Sequence, residues 1–230
     1  MNNLILSSTT FGVVISFLGF MIGMALKKLF KIAIFNPVLI AILLVIAVLK
    51  LFRIDYSSYN ASAKYLSYLL TPATVCLAIP LYTQLEKLRQ NLLAILCALA
   101  VGVLTSLVSV LVLSAVFRLS HQEYVTLLPK SVTSAIGMGV SEELGGYSSI
   151  TVAVIILSGI FGNVSGDLVC RLFRITEPIA KGLGMGAASH AIGTARAMEW
   201  GEQEGAMSSL AIVVSGLLTV VGASVFANFL

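Results

Sequence analysis

The sequence predicts an all-α, polytopic membrane protein. It is expected to have about eight membrane segments in two related halves, with discontinuous or re-entrant helices. Three observations predict this. Of 230 residues, 58% are hydrophobic and only 10% charged, with a mean hydropathy of +1.02. A soluble domain carries about 25% charged residues, and so short a chain cannot bury the excess apolar surface. Leu4–Leu26, Asn91–Phe117 and Ala206–Leu230 contain no Asp, Glu, Lys or Arg, and each reaches the roughly 20 residues needed to span a bilayer as a helix. Other segments are broken by Gly and Pro and carry ionisable groups near membrane depth, where unsatisfied polar groups cost several kcal/mol each.

Leu4–Leu26 is the expected first span, retained rather than cleaved, because its positives Lys27, Lys28 and Lys31 follow the apolar run instead of preceding it. Gly12, Gly19 and Gly23 on it suit close helix contact. Ile32–Leu51 is the second span, with Asn36-Pro37 near its start, where proline's missing N–H is harmless. A polar connection, FRIDYSSYNASAK, follows. Tyr65–Leu85 contains Pro72 and Pro80 and is expected to be discontinuous, because each proline removes a backbone donor. Asn91–Phe117 is the fourth span. Tyr124–Val140 is short and interrupted by Pro129, Lys130 and Gly137-Met138-Gly139, which marks a broken or re-entrant element. Ser148–Val169 spans again, with Asn163 and Asp167 near its far end. Asp167 precedes Arg171 by four residues, so it suits either a helix-end pair or a proton site.

The stretch Gly182–Ala211 organises the rest. It places His190, Arg196 and Glu199 among small residues and the glycines Gly182, Gly184, Gly186 and Gly193. Polar density of this kind at membrane depth marks a site. Ala206–Leu230 closes the chain. The order of the first half recurs from about Tyr124, so the repeat halves are expected at 1–118 and 119–230 of a single membrane domain. Ala78-Ile79-Pro80 falls over Ala191-Ile192-Gly193, and Glu86 over Glu199. Interrupted segments at matching positions of two halves point to a transporter binding site. Counting eight simple crossings puts basic residues on both sides and leaves the orientation open.

Other classes fall away. The net charge of +4 lies in short clusters beside the spans, without a basic stripe interleaved with aromatics, so nucleic acid is not an expected partner. Cys76, Cys97 and Cys170 are too widely spaced for a disulfide framework or a zinc site and read as small packing residues. The two histidines, His121 and His190, lack ligand-spaced partners, and no nucleophile elbow or phosphate loop occurs. Neither a metal, a cofactor nor enzymatic chemistry is expected.

The motifs TPATVCLAIPLYTQ (Thr71–Gln84), LPKSVTSAIGM (Leu128–Met138), GMGAASHAIGTARAME (Gly184–Glu199) and GAMSSLA (Gly205–Ala211) resemble the LrgB/CidB family, including its YohK-type members. They are also similar to the C-terminal half of the plastid glycolate/glycerate translocator. The resemblance runs along nearly the whole chain. It implies a multi-pass protein of the bacterial inner membrane with one of two roles. The first is a carrier of small monocarboxylates of the glycolate, glycerate or pyruvate class. The second is an antiholin-like regulator of a holin-type pore, affecting murein hydrolase export and lysis. It also implies a small LrgA/CidA-like membrane partner, since the plastid protein fuses such a part ahead of this one. Contact with membrane lipid and symmetric self-association are further expectations.

A carboxylate in a membrane needs replacements for its hydration shell. Helix N-termini, hydroxyls and a cation supply them. The expected substrate-binding residues are Thr71, Pro72, Thr74, Lys130, Ser131, Thr133, Ser189, His190, Thr194 and Arg196, converging from Thr71–Gln84, Leu128–Met138 and Gly184–Glu199. His190, Asp167 and Glu199 are the expected coupling groups, His190 because its ordinary pKa of about 6.5 suits a proton-linked step. Structural readings stand beside these: Lys130 snorkelling to the interface, Arg196 pairing with Glu199, His190 as a hydrogen-bonded packing residue, and prolines and glycines that only kink and pack helices.

Overall fold

The computed structural model describes residues 10–30, 36–69, 72, 75–76, 78–83 and 85–230. Every regular element among these is helical. The chain forms two compact units, Met1–Cys76 and Leu77–Leu230.

In the first unit, α1 (Phe11–Phe30), α2 (Pro37–Leu51) and α3 (Tyr56–Ser67) pack through the predicted glycines. An ideal Cβ at Gly23 would lie 2.7 Å from Pro37 Cα, and one at Gly12 would lie 2.6 Å from the Ala63 nitrogen. Backbones therefore meet where side chains would not fit. Asn36 caps α2, its Oδ1 accepting from Val38 N at 2.8 Å, with Pro37 in the first turn. The stretch read from sequence as a polar connection is instead helix α3. Asp55 caps it by accepting from Ser57 N at 3.0 Å, and Ser62 faces α1, accepting from Gly12 N at 2.8 Å. Its hydroxyls and small residues masked the periodicity of a buried face.

The second unit begins with the short helices α4 (Ala78–Thr83) and α5 (Leu85–Gln90). Three long helices frame the rest: α6 (Leu92–Phe117), α9 (Ser148–Leu172) and α11 (Glu202–Phe226). Between them lie α7 (His121–Leu127), α8 (Ser134–Glu143) and α10 (Pro178–Trp200). Four helical stretches in the described residues are long and apolar enough to cross a membrane: Phe11–Phe30, Leu92–Phe117, Ser148–Leu172 and Glu202–Phe229. The expected count of about eight segments and the relation between two halves go beyond these four.

The interruption expected in Tyr124–Val140 and the glycine-rich stretch around His190 form hairpins that double back against α9, whereas much of Tyr65–Leu85, expected to be discontinuous, lies outside the described residues. We call the side where α9 begins upper and the side where it ends lower. The first hairpin is α7, a turn at Pro129–Val132, and α8. Going inward, Thr126 meets Tyr147 and Thr151, and the Lys130 carbonyl accepts from Ser158 Oγ at 2.8 Å. Coming back, Gly137 lies against Ile155, and Ser141 bonds Thr151 at 2.7 Å. One arm is parallel to α9 and the other antiparallel. Ser120 starts the hairpin with a capping box to Glu123. The Ser120 backbone and hydroxyl donors hold the Glu123 carboxyl below its ordinary range.

The second hairpin is α10, broken at His190. On the inward arm Gly166 faces Met185, Gly162 faces Ser189 and Gly159 faces His190. On the outward arm Asn163 Nδ2 donates to the Ile192 carbonyl at 2.9 Å, and Asp167 binds Arg196. In a continuous helix Gly193 would lie about 12 Å from Met185. Here a Cβ at Gly193 would be 2.6 Å from the Met185 carbonyl oxygen. The chain leaves the lower side, turns at mid-height and returns. Gly201 then turns it into α11. Gly182 and Gly186 pack against α11 so closely that a Cβ would lie 2.4 Å from the Glu204 carbonyl and 2.2 Å from the Ser208 carbonyl.

Candidate functional site

The tips of the two hairpins arrive at the same level of α9 from opposite sides. Ser158 holds the first tip through the Lys130 carbonyl, and the Ile155 carbonyl accepts from His190 Nε2 at 2.9 Å. A carbonyl only accepts, so Nε2 carries the hydrogen. His190 sits at φ 43°, ψ −137°, a conformation that costs a non-glycine residue about 1–3 kcal/mol. Burial of the ring and its bond to α9 offset that strain. Thr194 Oγ1 donates to the His190 carbonyl or shares a hydrogen with Ser208 Oγ, at 3.0 and 2.7 Å. The first of these bonds gives the His190 carbonyl at the break a partner. Ser189 is fully buried beside them, and its Oγ has no partner among the described residues.

Beside the tips lies a cavity of about 730 Å³. α6 forms one wall with Gly102, Thr105, Ser106 and Ser109, and the inward arm of α10 another with Leu183, Gly184 and Ala187. Lys130 and Ser131 enter it from the first tip. Lys130 Nζ donates to Ser131 Oγ at 3.1 Å, and Ser131 Oγ bonds Ser106 Oγ at 3.2 Å. Lys130 is half-buried and forms no ion pair among the described residues. The cavity extends to Asn91 and Glu177 at the lower side. It is an apolar path ending on one cation ringed by hydroxyls, which is an arrangement able to hold a small anion in place of water.

The predicted residues thus divide. Lys130 and Ser131 line the cavity. Thr133 is the half-buried N-cap residue of α8, without a side-chain cap bond, and is not in the lining. Ser189, His190 and Thr194 build the second tip. Arg196, Asp167 and Glu199 form a separate cluster toward the lower side: Arg196 ion-pairs with both carboxylates, and Trp200 Nε1 donates to Asp167 Oδ1 at 2.8 Å. Asp167 therefore pairs with Arg196 rather than with Arg171. Pro72 is exposed, and Thr71 and Thr74 lie outside the described residues. Sequence reasoning missed Ser106 and Ser109, which look like ordinary span hydroxyls. It also missed the α9 seam Gly159, Gly162 and Gly166, whose three- and four-residue spacing was the available signal. Among the described residues no His, Cys, Asp and Glu group could hold a metal ion.

The profile of the LrgB-like family matches residues 16–229. The chain belongs to the LrgB-like family. It is 38% identical over 221 residues to the antiholin-like protein LrgB of Bacillus mycoides (strain KBAB4), covering 96% of both chains. The proteins of the same name from Bacillus cereus (strain B4264) and Bacillus anthracis (strain CDC 684 / NRRL 3495) give the same identity and coverage. No solved structure matches this LrgB-like protein.

Proposed function

We propose that this LrgB-like protein is a non-enzymatic inner-membrane carrier for small monocarboxylates of the glycolate, glycerate or pyruvate class, working by alternating access. One observation supports the reading: two half-length hairpins from opposite sides reach the same level of α9, and both border a cavity that holds Lys130. Sites at broken helices near the midplane are the recurrent solution for moving a charged solute. The Lys130 ammonium balances the carboxylate, and Ser131, Ser106 and Ser109 supply hydrogen bonds. Proton linkage enters through His190, whose Nδ1 makes no hydrogen bond among the described residues. A small LrgA/CidA-like membrane protein is the proposed partner.

The test is counterflow of labelled pyruvate, glycolate and glycerate in proteoliposomes, with and without that partner. Saturable counterflow is the expected result. The relatives' name favours a second reading, a regulator of a holin-type pore. Unsaturable dye leakage from vesicles carrying the partner, changed by this chain but with no counterflow, would replace the first reading with the second.

The course of the hairpins supports one orientation. In the second unit, Arg89, Arg171, Arg174, Lys181 and Arg196 belong to the lower side, whereas Arg118 lies at the upper end of α6. The positive-inside rule then makes the lower side cytoplasmic, with the cavity opening inward. In a background with Cys76, Cys97 and Cys170 changed to serine, Arg118→Cys should react with an impermeant maleimide on intact cells. Arg174→Cys should react only after permeabilisation. The opposite pattern would invert the access of the site.

A further inference from the structure

A second cavity, of about 630 Å³, lies at the lower side where α9 ends and α10 begins. Arg171, Arg174 and Lys181 line it, with Thr176, Trp200 and two carboxylates, Asp167 and Glu204. Among the described residues no ion pair joins these cations to the two carboxylates. Asp167 is already engaged on both oxygens, by Arg196 and by Trp200, and Glu204 forms no ion pair among the described residues. Arg171, Arg174 and Lys181 likewise form none. Lys181 instead sits 6.0 Å from the centre of the Trp200 ring, which closes that side.

We propose that this cavity binds a phosphate group, carried by the headgroup of an anionic phospholipid or supplied as a soluble phosphate. Two guanidinium groups, an ammonium and the Thr176 hydroxyl are the donors that a phosphate takes, and guanidinium forks match its oxygens in pairs. The volume exceeds a bare phosphate and accommodates a glycerol unit with it. Next to it Leu168, Leu172 and Phe173 are 67%, 72% and 69% exposed on the outer face of α9 and its end, where acyl chains would lie. The setting is the membrane boundary, where basic pockets between spanning helices collect anionic headgroups. The site is distinct from the Lys130 cavity, so it stands whether or not the carrier reading does.

The experiment is thermal unfolding of the detergent-solubilised full chain with phosphatidylglycerol, phosphatidylcholine or inorganic phosphate alone. At phosphatidylglycerol near 100-fold above half-saturation, the midpoint should rise by roughly 5–10 °C, with no rise in phosphatidylcholine. Arg171→Gln with Arg174→Gln should abolish the rise while leaving the lipid-free midpoint close to the parent. Lys181→Gln alone should reduce it, which keeps the test decisive if the double variant folds poorly. An equal rise with inorganic phosphate supports the site and makes its ligand soluble. A rise that phosphatidylcholine reproduces, or that survives in both variants, overturns the proposal.

Discussion

Lys130→Gln should raise the half-saturating concentration for carboxylate counterflow by roughly 10–150-fold. A hydrogen bond to a charged group contributes about 1.5–3 kcal/mol, and each 1.4 kcal/mol is tenfold in affinity. The substitution keeps the fold, because the backbone of Lys130, not its side chain, ties the first tip to α9 through Ser158. Lys130→Arg should retain part of the affinity. The measurement is initial counterflow rate against substrate concentration, with folding checked by thermal unfolding. An unchanged half-saturation in the folded Gln variant would remove Lys130 from the substrate site and the anion cavity with it.

The second large effect separates two glycines of one motif. Gly184 has nothing within 4 Å of where a Cβ would stand, because it faces the cavity. Gly184→Leu should therefore fold normally, fill the space beside Lys130 and abolish transport. Gly186, two residues on, faces α11, where a Cβ would meet the Ser208 carbonyl at 2.2 Å and Ala211 Cβ at 2.7 Å. Gly186→Val should lower the midpoint of unfolding, since overpacking costs about 1–3 kcal/mol and a backbone atom cannot rotate away. Thermal unfolding and counterflow on both variants give the comparison. A folded, fully active Gly184→Leu protein would show that substrate does not use this cavity.

Much of this arrangement was legible before the structure. The uncharged runs fix α6 and α11, because membrane hydrocarbon leaves little alternative for them. Pro129-Lys130 and the glycines around His190 marked the two breaks. What sequence could not give was the direction taken after each break. A helix that kinks and continues and one that doubles back use the same residues. The choice depends on whether α9 offers a groove for both arms, which Gly159, Gly162 and Gly166 provide. The pairing of Arg196 with Asp167, rather than with Glu199 alone, has the same origin, because it exists only once the outward arm runs beside α9. Helix α3 was missed because its burial is against α1 through hydroxyls and small side chains, which carry little hydrophobic signal.

The doubling back at His190 also bears on how the protein is made. The arms 178–189 and 191–200 are each too short to cross a bilayer, which takes roughly 20 residues. They cannot be threaded into the membrane one at a time as they leave the ribosome. The inward arm depends on Glu204, Ser208 and Ala211, which are translated after it. The cavity wall formed by the inward arm therefore assembles only once the last helix is in place, and a chain halted before α11 would carry the entire hairpin without the surface that holds it.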